Sequence, residues 1–236
     1  MDKKNLYIGW DIGGAHTKYT ISSDTRDIVE SRIILCELWK SLSQLEGIVK
    51  SIDIKYRKKF HIINLISMSA EMCDIFSSRR EGVKAILSLF ENKGFINHIY
   101  SKDNGILKFQ GFKKYSSLAS TNWMAIPDYL KNMDKNIIAI DIGSTTTDIV
   151  LIKNHICINK RHDDYSGLNT KELLYTGVLR TPIYSVINTL NLNKRVYNVI
   201  PENFATMSDV YRLLSIIQKK SDYTNTADGR LKSKKD

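Results

Sequence analysis

Cysteine is scarce in this 236-residue chain, and Cys36, Cys73 and Cys157 form no CxxC pair. That spacing excludes a local metal knuckle and fits a reducing compartment better than a disulfide framework. Long apolar runs are missing too. Nothing approaches the ~20 apolar residues that span a bilayer. The opening Met1-Asp2-Lys3-Lys4 reaches Asp11 after too few apolar residues to form a secretory leader. The expectation is a soluble, cytoplasmic protein without a membrane partner. Acidic residues are the scarcer charge, 25 Asp+Glu against 35 Lys+Arg, for a formal net charge of +10. The excess is scattered, apart from Lys55, Arg57, Lys58 and Lys59 and a terminal group at Lys232, Lys234 and Lys235. Such scatter reads as a solvated face and a basic terminus, so no nucleic-acid partner is expected. A small anionic substrate suits the same balance. With 42% hydrophobic and 25% charged residues, the composition excludes wholesale disorder.

What is present is an internal echo. Residues 7–18 read YIGWDIGGAHTK and residues 137–148 read IIAIDIGSTTTD, so Asp11 meets Asp141, Gly13 meets Gly143 and Thr17 meets Thr147. Each copy follows an apolar run and precedes an alternating one, which predicts a β-hairpin with glycine at its tip. Glycine there lets the backbone approach a phosphate and reach φ > 0, turning successive N–H groups toward one anion. Gly13, Gly14 and Gly143 are therefore candidate binding residues, with the hydroxyls of Thr17, Ser144, Thr145, Thr146 and Thr147 as donors. Asp11 and Asp141, at the ends of the apolar strands, are candidate Mg²⁺ ligands. Lys18 adds a point charge.

Periodicity places a third strand at 28–35, a helix at 37–52, a strand at 60–68 and a helix at 79–92. A helical stretch over 116–130 leads to the second hairpin, with strands at 137–142 and 147–152. A short strand near Ile156, a helix from Pro182, a strand at 196–200 and a helix at 204–217 complete the reading. Three further residues carry chemistry with two readings each. Glu71, after the strand at 60–68, is either a base or metal ligand or a turn residue before the next helix. Asp148 either binds Mg²⁺ or pairs with Lys18 or Arg180. Arg180 either recognises carboxylate or phosphate or makes a surface ion pair. Asn122 and Trp123 either line a cleft or join the core.

A βββαβα order occurring twice, each time led by a phosphate hairpin, resembles the actin/sugar-kinase/Hsp70-type ATPase superfamily. The resemblance implies an α/β, two-lobed actin-like ATPase (ribonuclease H-like) fold with the ligand cleft between lobes. It divides the chain into a first lobe at 1–134 with its loop at 11–18, a second at 135–220 with its loop at 141–148, and a basic, disordered tail at 221–236. No GG-containing loop follows Gly177, so the second lobe is expected to be abbreviated and short of an adenine site.

The strings GWDIGG (9–14), MSAE (68–71), LASTNW (118–123), DIGSTTTD (141–148), YTGVLRTP (175–182) and FATMSDVYR (204–212) narrow the resemblance. They are similar to the hydantoinase/oxoprolinase-like proteins linked to tetrahydromethanopterin one-carbon metabolism, a group that includes a methanofuran-biosynthesis enzyme. His16 departs from the asparagine common there, and the stretch beyond Arg230 departs as well. The resemblance implies a transferase in which an amine displaces pyrophosphate from an aminomethylfuran diphosphate. Glu71, Asp148 and Lys18 would be its catalytic groups, and Arg180 and the two loops its binding residues. Mg²⁺ would be the cofactor and a phosphorylated small molecule the substrate. Its alternatives are an ATP-dependent hydantoinase/oxoprolinase-like hydrolase, a small-molecule kinase, and a non-catalytic nucleotide-binding module.

Overall fold

A computed structural model describes residues 3–91, 94–109, 114–222, 224, 226 and 232. The chain divides into two compact units, Met1–Met133 and Asp134–Asp236. Of the expected tail at 221–236, only the positions just named lie within the described residues, and there Lys232 is buried against Asp209. Asn92, the expected end of a helix, lies outside them. Among the described residues no helix is long and apolar enough to cross a membrane.

The first unit runs β1 (Lys4–Ile12), β2 (His16–Ser23), β3 (Ile28–Leu35), α1 (Ser43–Tyr56), β4 (Phe60–Met68), α2 (Arg79–Ser88), β5 (Ile96–Ser101), β6 (Gly105–Lys108) and α3 (Ala125–Leu130). Its strands form a single sheet in the order β3-β2-β1-β4-β5-β6. β1, β4 and β5 are parallel neighbours and the outer pairs are antiparallel. Leu6, Ile8, Trp10 and Ile12 alternate onto one face of β1 and are buried with Ile62, Ile66, Met68 and Ile99. Leu45, Val49 and Ile52 of α1 and Val83, Ile86 and Leu87 of α2 cover that face. At roughly 1.5–3 kcal/mol per fully buried large side chain, this layer is the main stabilising term of the unit. A polar chain crosses it. Trp10 Nε1 donates to Asn64 Oδ1 (2.9 Å), Asn64 Nδ2 to Asn97 Oδ1 (2.9 Å), and Asn97 Nδ2 to the Phe90 carbonyl (2.9 Å).

Strand alternation puts Gly9 and Asp11, Lys18 and Thr20, Leu65 and Ser67, and His98 and Tyr100 on the opposite face. Helix α3 covers this face only in part, leaving a cavity of about 570 Å³.

The second unit runs β7 (Asn136–Ile142), β8 (Thr147–Lys153), β9 (Ile156–Cys157), α4 (Asp164–Thr170), β10 (Leu173–Leu174), β11 (Thr189–Leu192), β12 (Arg195–Asn198) and α5 (Met207–Leu213). β10, β8 and β7 form its main sheet, with β9 on β8, and β11 and β12 pair separately. Its core is smaller, built on Val150, Ile152, Leu173 and Leu179.

Three expected helices are corrected. The helix expected at 37–52 starts six residues later at Ser43, because Cys36 and Leu38 instead hydrogen-bond the first hairpin tip. The stretch 116–130 is broken where Ser120 takes φ 51° to present its amide and hydroxyl to Glu71, and only Ala125–Leu130 is α-helical. After Pro182 there is one 3-10 turn, Ile183–Ser185, because Ile183 is held by the Ala205 carbonyl and Met207 by that of Thr181. The strand expected at 196–200 is β12, whose partner β11 is joined to it by a two-residue turn with Asn193 and Lys194 at φ 50° and 65°.

Candidate functional site

The two echoed segments fold alike. Both hairpins end on the same cross-strand pairs, Ile12 with Thr17 and Ile142 with Thr147. In the first tip the Gly13 amide donates to the His16 carbonyl (3.0 Å), and in the second the Gly143 amide donates to the Thr146 carbonyl (2.8 Å). A strap then binds each tip by its carbonyls. In the first unit Leu38 N–H donates to Gly14 (2.9 Å), Cys36 N–H to Ala15 (2.9 Å) and Ser69 N–H to Ile12 (2.9 Å). In the second, Val178 N–H donates to Gly143 (3.0 Å), while Leu179 and Arg180 N–H both donate to Ser144 (3.1 and 2.9 Å). With the carbonyls so engaged, the amides of Gly14, Ala15, Ser144, Thr145 and Thr146 have no acceptor among the described residues. Unengaged N–H groups clustered at a half-buried tip are the elements of an anion cradle.

The tip glycines owe nothing to left-handed backbone, since none of Gly13, Gly14 and Gly143 has positive φ. Close approach is what they supply: a Cβ on Gly13 would lie 3.0 Å from the His16 carbonyl oxygen, and one on Gly14 3.1 Å from Cys73 Sγ.

Two expected hydroxyl donors are corrected. Thr17 is fully buried on the core face of β2, beside Cys36, and Thr147 donates to the Thr176 carbonyl (2.6 Å). Period-two alternation turns both inward, leaving Ser144, Thr145 and Thr146 at the half-buried second tip. The charged residues that follow also take different partners. Lys18 lies opposite Asp11, Nζ to Oδ2 2.9 Å, and Asp148 lies opposite Asp141. Asp148 pairs with the buried Arg161, which also reaches Asp164 (2.9 Å), so Arg180 is not its partner. Burial pushes the Asp148 carboxyl up against the pull of Arg161. In the first tip, burial and then Lys18 push the His16 imidazole down. Arg180 binds the second tip through its amide while its side chain is exposed.

Glu71 is corrected as well. It is 1% exposed in the 3-10 turn Ala70–Met72, where Oε1 accepts from the Ser120 amide (2.8 Å) and hydroxyl (3.1 Å), while Oε2 is buried without a partner among the described residues. Burial raises its carboxyl above the ordinary glutamate range. Its place is in the packing of the first unit, against Gly82, rather than at an open surface. Trp123 is likewise buried.

The sequence reading missed Gly177 and Arg161 as site residues. A Cβ on Gly177 would meet Ser144 C and Thr145 N at 2.6 Å, so this glycine is what lets the strap lie against the second tip. Its signal was a lone glycine inside the 175–182 string. Arg161 carried none, because its partner Asp148 lies thirteen residues away on another element.

A family model described as hydantoinase/oxoprolinase matches residues 64–236. The chain is 32% identical over 232 residues to the (4-{4-[2-(gamma-L-glutamylamino)ethyl]phenoxymethyl}furan-2-yl)methanamine synthase of Methanocaldococcus jannaschii, covering 96% of this chain and 67% of that protein. It is 38% identical over 101 residues to the Methanococcus vannielii protein of the same name, covering 42% of this chain and 45% of that one. Among solved structures, nucleotide-free acetone carboxylase aligns with TM-score 0.50 and 11% identity over 92% of this chain and 56% of the other. The fold is that of the actin-like ATPases, and the chain spans 45–67% of the lengths of these three proteins.

Two outcomes are expected. Gly177→Val pushes the strap off the second tip and weakens pyrophosphate binding by about tenfold or more in calorimetry, whereas Gly143→Ala, whose Cβ meets only the Thr146 carbonyl oxygen at 3.3 Å, has a smaller effect. Equal affinities in the two variants would contradict the strap's role. For Glu71 the raised folded-state pKa favours the protonated form, so its contribution to stability is lost as pH rises through that value. Glu71→Gln is therefore expected to melt higher than the parent at pH 8 and with little difference at pH 4. A pH-independent difference would contradict a buried, destabilising charge.

Proposed function

The chain belongs to the hydantoinase/oxoprolinase family, and we propose that it is a transferase that joins a phenolic oxygen to a furylmethyl carbon, displacing pyrophosphate. The relatives' name describes a phenoxymethyl-furan, an aryl ether, which a phenol nucleophile forms and an amine does not. A phenol therefore replaces the amine nucleophile of the sequence reading. In the step, the phenolic oxygen bonds to the methylene carbon and the methylene–O–P link breaks at carbon. The electron pair leaves with pyrophosphate, and the phenol proton passes to solvent.

The observation that carries this reading is the set of unengaged amides at each tip. Those of Ala15, Ser144 and Thr145 lie in peptide planes fixed by the straps, so they stabilise negative charge on a leaving phosphate with little reorganisation. Lys18, paired with Asp11, stands beside the first tip, and Ser144, Thr145 and Thr146 add hydroxyls at the second.

Family and fold point to nucleotide or metal use. Among the described residues no group of three or more His, Cys, Asp and Glu is placed to hold a metal alone. Mg²⁺ needs less, since it commonly takes one or two carboxylates together with substrate phosphates. Asp141 fits that use, being exposed with no ion pair among the described residues and facing a second carboxylate, Asp148, across the hairpin. Asp11 fits it less well, because the Lys18 ammonium already neutralises it. Mg²⁺ would supply charge neutralisation on the departing phosphate, and Asp141 would hold it.

Calorimetric titration of the full chain with pyrophosphate and with ATP, each with and without Mg²⁺, tests the reading. Pyrophosphate is expected to bind more tightly with Mg²⁺ and about tenfold or more tightly than ATP. Asp141→Asn should remove the Mg²⁺ increment, and Asp11→Asn should retain it. Tighter binding of ATP would replace the reading with an ATP-dependent reaction, and an increment surviving in Asp141→Asn would move the metal elsewhere.

A further inference from the structure

The partly covered sheet face of the first unit has one position that packing does not explain. Gly9 lies in the middle of β1, has no left-handed φ, and an added Cβ would meet nothing within 4 Å. A glycine inside a strand weakens it and marks a place where another group approaches closely. No part of the described chain is that group, because Gly9 opens into the cavity of about 570 Å³ on this face. The cavity falls within the range of roughly 300–1,000 Å³ that small-molecule sites occupy.

Its two ends differ chemically. At one lie Lys18 and Asp11, next to the first hairpin tip with its open Gly14 and Ala15 amides. At the other lie His98, the buried Tyr100, and Tyr129, which is 67% exposed. His98 Nδ1 is buried there without a partner among the described residues. From Lys18 on β2 to His98 on β5 the face crosses β1 and β4, about 14 Å at the usual inter-strand spacing. The groove thus has the Lys18–Asp11 pair and the tip amides at one end, aromatic side chains with Asp128, which accepts from the Tyr100 hydroxyl, at the other, and an open floor at Gly9.

We infer that this groove binds the ring-bearing part of an arylmethyl phosphate or diphosphate, with the phosphate toward Lys18 and the ring over Gly9 against Tyr100 and Tyr129. The inference rests on the diphosphate reading above and extends it by placing the substrate's ring within the first unit. It also accounts for the missing side chain at position 9, since any Cβ there would occupy the space of the ring.

Calorimetry with benzyl diphosphate, methyl diphosphate, pyrophosphate and benzyl alcohol separates the two readings. The parent chain should bind benzyl diphosphate about tenfold or more tightly than methyl diphosphate, the gain expected from burying one ring. Gly9→Leu should abolish that preference while keeping the melting temperature and the pyrophosphate affinity. Tyr129→Ala, at an exposed position, should reduce it. Equal binding of the two esters by the parent, or a preference that survives in folded Gly9→Leu, overturns the groove and leaves the diphosphate reading standing. If no phosphate compound binds while benzyl alcohol does so in a Gly9-dependent way, the diphosphate reading falls and the aryl groove stands.

Discussion

Each hairpin tip is held by its carbonyls, and the direction of its amides follows from that. A free four-residue turn can rotate its peptide planes, so its N–H groups have no fixed aim. Here the Gly14 and Ala15 carbonyls accept from Leu38 and Cys36, and the Gly143 and Ser144 carbonyls accept from residues 178–180. Fixing a carbonyl fixes the next amide, because the peptide group is planar. The Ala15, Ser144 and Thr145 amides are oriented in this way, and the surrounding sequence keeps the straps in place. Leu38 is fully buried, Thr147 ties down Thr176, and Thr181 Oγ1 accepts the Gly177 amide at 2.6 Å.

The duplication has kept this backbone device and changed the charge beside it. At the same register position the first hairpin pairs Asp11 with Lys18, and the second pairs Asp141 with Asp148. The first pair is self-neutralising, while the second is acidic and backed by the buried Arg161. One tip therefore carries a closed ion pair with no net charge, whereas the other presents a carboxylate, Asp141, with no ion pair among the described residues. The acidic residue of each strand is the same and the residue opposite it decides the role.

Much of this was legible because it is local. The DIG echo, the apolar run before it and the alternation after it predict both hairpins, and the structure forms β1–β2 and β7–β8 there. Glycine at the tips was legible too, though for close approach rather than for φ. Contacts between distant segments were not. Leu38 has the spacing of a helix residue, yet its amide is used by Gly14, and the Ser120 kink answers to Glu71, 49 residues away. Thr17 and Thr147 read as donors by composition, but their place in the alternation turns them into the core. Gly9 passed unremarked because a glycine in a strand pattern says nothing until the space above it is seen.

The account turns on the unengaged amides, and ¹H–¹⁵N correlation spectra of the labelled full chain during pyrophosphate titration test them directly. The largest shifts should fall on Gly14, Ala15, Ser144, Thr145 and Thr146, with smaller ones on Gly13 and Gly143, whose amides are already given to the His16 and Thr146 carbonyls. Saturable binding with those five amides unmoved, or with shifts centred away from both tips, would contradict the account.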